Sequence, residues 1–568
     1  MVWDMALIRQ VQIVVGVAIL IAVGSASTLA KSPGQIPQEG IATTAVEATW
    51  EYSTDGGKTF GKTPLKGAPS KHEIPVILRG TFKIADPTKV AGLWVRLADE
   101  KKPTVATICT GGDLNAASGG YWKDVGYCPI LLHASVTLNG KTVRLPAGPM
   151  LYFWLPVEGE LNPGANVIEL HGRCHTYWQG PVSKAITARL MTAAAQPVKI
   201  YNGPTLGDFG EDYFTVTCRT QMPADVTVEA TPAKSTATAV KVTSKNRIWH
   251  RLKVQVPKGT REVSYTLTAK VGPHVTKRGP FTAFIPDVSA KTFRFVALGN
   301  VRAHPYAITK WGPNTTTVLK LKPAFVLHTG NANEHGTWEH DWERRYFQPG
   351  GDLHAAIPTF ISPCYRDLNG VVNELFYTPA PNGYLHSWTK VIGSVRLIGI
   401  DGNQLWKPAG QNIKWLEHVL KGAKEKFVFV IDAYPGYSSG KYSRSGNAWL
   451  SQSRSAVMPL LGKYKATAMI SGWDPDYERC EPTPDKGCTQ IVTGAIAKAA
   501  YRHSGRAAGR NPFANGKGRP WAGAAVAHVC VFDVKSDTVE MKVLALRSNA
   551  NDTESDLNVL DKKTFKSR

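Results

Sequence analysis

The sequence predicts a multidomain chain in which two β-sandwiches are followed by an α/β layered sandwich. Three observations predict it. The chain has 568 residues, more than one hydrophobic core fills, so several domains of ordinary size are expected. From about Ala45 to Asp287, short alternating runs are broken by Gly, Asn and Asp turns, the pattern of half-buried strands. From Lys291 onward, apolar runs alternate with helical stretches, as in a sheet covered by helices. Hydrophobic residues make up 43% and charged residues 20%, which excludes a disordered, collagenous or polytopic membrane chain. Lys and Arg outnumber Asp and Glu by 67 to 44, a net charge of +23, and the excess is spread along the chain. That charge suits anionic surroundings and solubility and says nothing of the fold.

Residues 1–30 read as an export signal: an apolar stretch from Val11 to Gly24 is followed by Ser25-Ala26-Ser27-Thr28-Leu29-Ala30, small residues suited to a peptidase pocket. The stretch is shorter than the roughly 20 residues that span hydrocarbon. A secreted, periplasmic or cell-surface location is therefore expected, with no transmembrane span after signal removal. In such a compartment cysteines form disulfides. Cys480 and Cys488 bracket a Pro-rich loop and Cys109 and Cys128 a Gly-rich one, so both pairs are expected to bridge. Cys174, Cys218, Cys364 and Cys530 have no assigned partners.

The first sandwich, 45–196, is expected to contain strands near Glu47 to Tyr52, Ile77 to Phe82, Gly92 to Leu97, Ala134 to Leu138, Leu151 to Pro156 and Asn166 to Leu170. Asp55-Gly56-Gly57 supplies positive φ for a hairpin. With Leu138-Asn139-Gly140-Lys141 and Asn162-Pro163-Gly164-Ala165, this segment resembles the galactose-binding-like jelly rolls of secreted enzymes. The resemblance implies either glycan binding or a spacer. The second sandwich, 197–288, includes strands at Tyr213 to Cys218 and Val263 to Ala269. Through Gly203-Pro204-Thr205-Leu206 and Trp249-His250-Arg251-Leu252 it resembles the fibronectin-III-like domain preceding the catalytic domain of purple acid phosphatases.

The third segment, 291–548, has apolar runs at Phe293 to Leu298, Ala324 to His328, Val395 to Ile400, Phe427 to Ile431 and Ala466 to Ile470. Ile413, Leu416, Val419 and Leu420 recur at helical spacing, the stripe of a helix packed on a sheet. Val526 to Leu546 returns to hairpin alternation around Lys535-Ser536-Asp537, and 549–568 reads as a C-terminal tail. The blocks Ala297-Leu298-Gly299-Asn300, Leu327-His328-Thr329-Gly330-Asn331, Cys364-Tyr365-Arg366-Asp367, Tyr437-Ser438-Ser439-Gly440 and Ser471-Gly472-Trp473-Asp474-Pro475 resemble those of the calcineurin-like metallophosphoesterases, nearest the purple acid phosphatases. The resemblance implies two metal ions held by Gly-Asp, Gly-Asp, Gly-Asn-His-Asp, a later histidine and Gly-His-x-His, with metal-generated hydroxide attacking a phosphate ester.

Every ligand block departs from that pattern. Asn300 and Asn331 stand where carboxylates are expected. Tyr365 and Arg366 replace an amide and an imidazole, and guanidinium does not ligate metal. Asp432-Ala433-Tyr434-Pro435 contains no histidine, and Trp473 and Pro475 replace the last two. Two divalent ions need carboxylates and neutral imidazoles in close geometry, so the family's chemistry is expected to be lost, with no cofactor. Arg302 and Arg366 would then fill the hole, paired with Asp432, Asp367 or Asp474, beside Trp473 and Tyr434. Two readings follow, an anion pocket for phosphate or carboxylate and a collapsed structural pocket.

His328, Glu334, His335, Glu339 and His340 are read as a solvated face, the alternative being zinc. Asn314-Thr315-Thr316 and Asn551-Asp552-Thr553 fit glycosylation acceptors. The sequence thus predicts an exported pseudoenzyme acting as a binding or structural protein, with a polyanionic or glycan partner or envelope and matrix proteins and no specific nucleic acid. The alternative is a secreted phosphoesterase with residual or relocated activity, using Fe, Zn or Mn through Asn300, Asn331 and Asp474.

Overall fold

The computed structural model describes residues 40–61, 74–99, 106–110, 128–143, 148–150, 152–157, 159–174, 186–233, 238–302, 305–333, 342–364, 366–367, 371–379, 387–403, 410–440, 448–497 and 521–568. The expected signal segment, Tyr365, Glu334, His335, Glu339 and His340 lie outside the described residues.

Two sheets face each other at the start of the chain. One orders Thr44–Val46, Ile186–Ala193, Gly92–Asp99 and Tyr152–Pro156, and the other Ala48–Ser53, Ile74–Ile84, Gly164–Cys174, Cys128–Leu138, Ala106–Thr110 and Gly148–Met150. Alternation sends Leu93, Val95, Phe153 and Leu155 of the first against Val76, Leu78, Val136 and Ile168 of the second. Asn139 and Gly140, at φ of 49° and 80°, form the tight turn that their sequence predicts. Cys128 lies opposite Ala106 in a parallel pair and Cys109 opposite Pro149; the side chains of this predicted bridge are outside the described residues.

A five-stranded antiparallel sheet follows: β1 (Ile200–Phe209), β2 (Tyr213–Pro232), β3 (Val240–Gln255), β4 (Glu262–Val271) and β5 (His274–Phe284). The 20-residue strand β2 shifts register around Arg219 and Ala224 while pairing with β3, and such bulges bend a strand. One sheet face is apolar and packs on the third segment, where the Tyr265 hydroxyl donates to the Ala355 carbonyl at 2.8 Å. Lys390 pairs with Asp208 at 2.7 Å across the same boundary.

The third segment contains β6 (Phe293–Leu298), β7 (Phe325–His328), β8 (Thr359–Ile361), β9 (Trp388–Ile392), β10 (Val395–Gly399), β11 (Phe427–Asp432), β12 (Ala468–Ser471), β13 (Tyr477–Cys480), β14 (Thr489–Thr493), β15 (Trp521–Ala524), β16 (His528–Val534), β17 (Thr538–Ala545) and β18 (Val559–Lys566). They form two sheets, ordered β8-β7-β6-β16-β17-β18 and β9-β10-β11-β12-β14-β13-β15. Between the sheets, the Phe295 and Phe429 rings pack edge to face at 5.7 Å.

Helices cover the outer faces. α1 (Pro305–Lys320) and α2 (Gln348–Ala356) lie over the first sheet, and α3 (Gln411–Gly422) over the second. In α3 Ile413, Leu416 and Leu420 are buried, as their spacing predicts. One apolar cluster runs without a break from Trp94 and Trp154 through Val226 and Leu267 to Phe295 and Phe429.

Three expectations are corrected. Residues 549–568 are not a tail, because Val559–Lys566 is an edge strand paired antiparallel with β17. Cys480 and Cys488 are buried thiols with no bridge between them. Cys480 is opposite Gln490 in the β13–β14 ladder, so Cys488 is displaced by two residues, beyond the 3.5–4.5 Å between Cβ atoms that a disulfide requires. Asn314 is fully buried in α1 and donates to the Ile496 carbonyl at 2.5 Å, so it cannot accept a glycan in the folded chain. Among the described residues no helix is long and apolar enough to cross a membrane.

Candidate functional site

The parallel strands β6, β7 and β8 of one sheet and β10, β11, β12 and β14 of the other release their loops at the same end. Open α/β sheets bind ligands outside such carboxyl ends. The turns after β6, β7, β11 and β12 carry Asn300, Asn331, Tyr434 and Trp473.

Their backbones are tightly specified. Gly330 has φ of +76°, and a Cβ there would lie 2.6 Å from the Ser362 carbonyl. A Cβ at Gly299 would lie 2.0 Å from Thr329 Oγ1. Both turns therefore need glycine before the functional position. Asn300, Arg302, Asn331 and Trp473 have φ of 53°, 44°, 54° and 69°. Asparagine tolerates this left-handed region; tryptophan enters it only when its surroundings compel it.

The two asparagines bind each other. Asn331 Nδ2 donates to Asn300 Oδ1 at 2.7 Å. Asn300 Nδ2 donates to the Trp473 carbonyl at 2.9 Å and to the Gly494 carbonyl at 2.7 Å. The Asn300 amide is thus committed on both ends, tying the turn after β6 to those after β7, β12 and β14. It stands 0% exposed, and Asn331 3%.

Asp367 holds the neighbouring turn. Its carboxylate accepts the backbone N–H groups of Asn331, Ala332, Asn333 and Cys364 at 2.7, 2.8, 3.3 and 2.9 Å. Burial pushes its pKa up, and these four donors pull it down. The pairing of Asp367 with a guanidinium, expected from sequence, gives way to these N–H contacts. Arg302 and Arg366 are half-buried. The Arg302 N–H donates to the Asn331 carbonyl at 2.8 Å, and the Arg366 N–H to Cys364 Sγ at 3.3 Å.

The remaining predicted residues divide into a polar side and an aromatic one. Asp432 Oδ1 accepts the Tyr434 N–H at 3.1 Å, and burial, followed by the nearby Asp401, holds its carboxyl well above the usual range. Asp474 Oδ2 accepts the Ser438 hydroxyl at 2.5 Å, and Pro475 is buried in the turn where Asp476 N–H donates to the Asp474 carbonyl. Tyr434 donates to Asn403 Oδ1 at 2.7 Å and stacks on Trp449 at 5.3 Å. Trp473 packs against Tyr434 at 4.9 Å.

Sequence reasoning missed Asn403, Trp449, Asp476 and Glu478. The last two were legible: Asp474, Asp476 and Glu478 alternate toward and through β13, and alternation places residues on one face. All three are buried, and burial followed by the other two carboxylates raises Asp476 well above its ordinary value. His328, expected on a solvated face, is instead fully buried, accepts the Gly330 N–H at Nδ1, and has its pKa pushed down to about 3 by burial.

The dinuclear metal centre that the fold implies does not fit these residues. Asn300 directs its oxygen to Asn331 and its nitrogen to two carbonyls, Asp367 directs both oxygens to N–H groups, and the one oxygen of these three side chains left without a partner, Asn331 Oδ1, is a single neutral donor. No imidazole occupies the turns after β11 and β12. Among the described residues no group of three His, Cys, Asp or Glu is arranged to hold a metal ion.

No protein-family model matches the sequence, and no curated protein matches it. Among solved structures, the purple acid phosphatase PPD1 from seeds of yellow lupin (Lupinus luteus) superposes with a TM-score of 0.53 at 14% identity, covering 88% of this chain and 94% of that one. PhoD gives 0.47 at 11% identity over 64% and 90% of the two chains. GAP50, the anchor in the inner membrane complex of Plasmodium, gives 0.38 at 18% identity over 49% and 90%. The first of these carries the comparison, and what it shows is the fold.

Proposed function

Starting from a metallophosphoesterase fold, we propose that the chain is a non-catalytic member of that fold, acting outside the cytoplasm as a binding or structural protein. The observation that carries this reading is the Asn331–Asn300 amide pair at 2.7 Å. It stands where the resemblance implies two carboxylates, and the pair carries no negative charge to offset two divalent cations, leaving only the neutral Asn331 Oδ1 without a hydrogen-bond partner. A carboxylate pair would repel itself without a cation; an amide pair holds itself together. The aromatic packing of Tyr434, Trp449 and Trp473 supports the same reading, since rings fill space that a hydrated ion and a phosphate would need.

The proposal extends to the parts around that segment. Residues 1–30 direct export, 45–196 form a galactose-binding-like module, 197–288 a fibronectin-III-like module and 291–548, completed by the edge strand Val559–Lys566, the phosphoesterase-like one. Partners are polyanions or glycans and other envelope or matrix proteins. The half-buried Arg302 and Arg366 are assigned to a structural pocket, their backbone N–H groups held by the Asn331 carbonyl and Cys364 Sγ.

Elemental analysis of the purified chain, paired with hydrolysis of a generic aryl phosphate, tests the reading. We expect no stoichiometric iron, zinc or manganese and no turnover. Stoichiometric metal together with turnover overturns the proposal in favour of a divergent hydrolase.

A further inference from the structure

The solvent face of the β1–β5 sheet carries a second observation, remote from the strand ends just described. Along β2 and β4 alternation buries Val226, Val228, Leu267 and Ala269, so the intervening side chains point outward. Pairing aligns them into rows. Thr243 of β3 lies opposite Thr227 of β2, Thr227 opposite Thr268 of β4, and Thr268 opposite Lys277 of β5. The hydroxyls of Thr227 and Thr243 are 2.8 Å apart. In the adjoining row Asp225 is opposite Lys270, and Lys245 follows Thr243 by two residues on the same face.

The charges on this face do not cancel. Glu229 pairs with Lys241 at 3.2 Å, and Asp225 Oδ1 accepts the Asn246 N–H at 2.8 Å. Lys245, Lys270 and Lys277 are exposed, and among the described residues no carboxylate forms an ion pair with them. Three cations and the single Asp225 carboxylate thus flank a row of three threonine hydroxyls on β3, β2 and β4, about 10 Å long at the usual strand spacing, which Lys277 of β5 continues. No aromatic ring stands in the rows that carry the lysines, so the stacking platforms used by single-stranded nucleic acid are missing there.

We propose that this face binds an anionic polysaccharide, its carboxylates or sulfates meeting Lys245, Lys270 and Lys277 and its hydroxyls meeting the threonine row. The inference rests on the reading of the chain as a binding protein and gives that reading a location. Lysine reach matches anions spread along a chain better than one buried phosphate, because each ammonium is a flexible point charge on a long stem.

The test uses the full chain and four probes: polygalacturonate, dextran sulfate, neutral dextran and a single-stranded oligonucleotide. Binding is measured at about 50 and 150 mM NaCl, since anion contacts made by lysine weaken steeply with salt. The triple variant Lys245→Glu, Lys270→Glu, Lys277→Glu is expected to lose about ten-fold or more in affinity for polygalacturonate or dextran sulfate, and the preferred one identifies the anion. Reversing three exposed lysines elsewhere, Lys414→Glu, Lys421→Glu, Lys424→Glu, changes net charge equally and is expected to leave affinity within about two-fold. The single variant Lys270→Ala, with circular dichroism and melting as folding controls, is expected to lose about three-fold.

Equal weakening by the two triple variants overturns the inference, leaving only attraction to net charge. So does a wild type that binds neither polyanion, or one that binds the oligonucleotide with the same dependence on these lysines. The metal and phosphate-ester measurements are independent of all these outcomes, so a chain without metal that ignores both polyanions sinks this inference alone.

Discussion

Asn331 Nδ2 donates to Asn300 Oδ1 across 2.7 Å, joining the turns that follow the first two parallel strands of the phosphoesterase-like segment. Asn300 →Asp therefore cannot restore an enzyme by itself. A carboxylate at this position faces the Trp473 and Gly494 carbonyls without a proton to give them. The variant is expected to be destabilised by about 3 kcal/mol, the scale of two lost buried donors. Denaturant unfolding checks it, and rescue of stability by added zinc or manganese would refute the account.

Trp473 sits at φ of 69°, which inverts an ordinary ranking. At most positions alanine stabilises relative to glycine; here glycine relieves the left-handed backbone while alanine does not. Both substitutions lose the packing against Tyr434. Trp473→Gly is expected to exceed Trp473→Ala in stability by about 1 kcal/mol. Equal melting temperatures for the two would show that the turn relaxes once the indole is gone.

Among the described residues four histidines are buried in the neutral form. Burial depresses His250, His328 and His354 to about 3 and His528 to about 4. In the unfolded chain each takes up a proton near pH 6.5. As pH falls from about 6.5 toward the folded values, the unfolded state binds more protons and native stability is lost. Each histidine contributes a slope of up to about 1.4 kcal/mol per pH unit. His354→Leu is expected to change least, relative to wild type, in acid: the stability gap between them shifts toward the variant by about that amount per unit between pH 6 and 4. A gap independent of pH would mean that His354 is solvated.

The edge strand β18 is anchored from its own middle. Asp561 accepts Arg479 Nε at 2.7 Å and the Tyr477 hydroxyl at 2.5 Å, and the Arg479 side chain is only 8% exposed. Asp561→Ala leaves that guanidinium paired, among the described residues, with Glu481 at 3.0 Å. A loss of about 3 kcal/mol is expected, the scale for removing one partner of a buried pair. Calorimetry on Asp561→Ala and on the double variant with Arg479→Met separates the cost of the stranded charge from that of lost packing; if the double variant is no more stable than the single one, the stranded charge is not the cause.

The sandwich strands and α3 were legible because period-two and 3.6-residue patterns are local properties of the chain. Ile413, Leu416 and Leu420 illustrate this. Turn chemistry was legible for the same reason at Asn139-Gly140. β18 was not. Its Asp561-Lys562-Lys563 run reads as solvated chain because an edge strand carries lysines that discourage further pairing. At the strand ends, the sequence announced the substitutions at Asn300, Asn331, Arg366, Trp473 and Pro475. It did not announce the arrangement. Asn300 meets Asn331, Trp473 and Gly494 through contacts 31, 173 and 194 residues apart, and no local pattern encodes such distances. Charge complementarity offered Asp432, Asp367 or Asp474 to the arginines, whereas the tight turn brought four N–H groups to Asp367.

The apolar cluster from Trp94 to Phe429 has a mechanical consequence. Segments strung on linkers yield to a pull one after another, like links in a chain. Here the middle and last segments share one interior, and Lys390 and Tyr265 rivet them together, so pulling one from the other exposes apolar surface to water. The first sandwich keeps a core of its own, so it is the segment expected to part first under load.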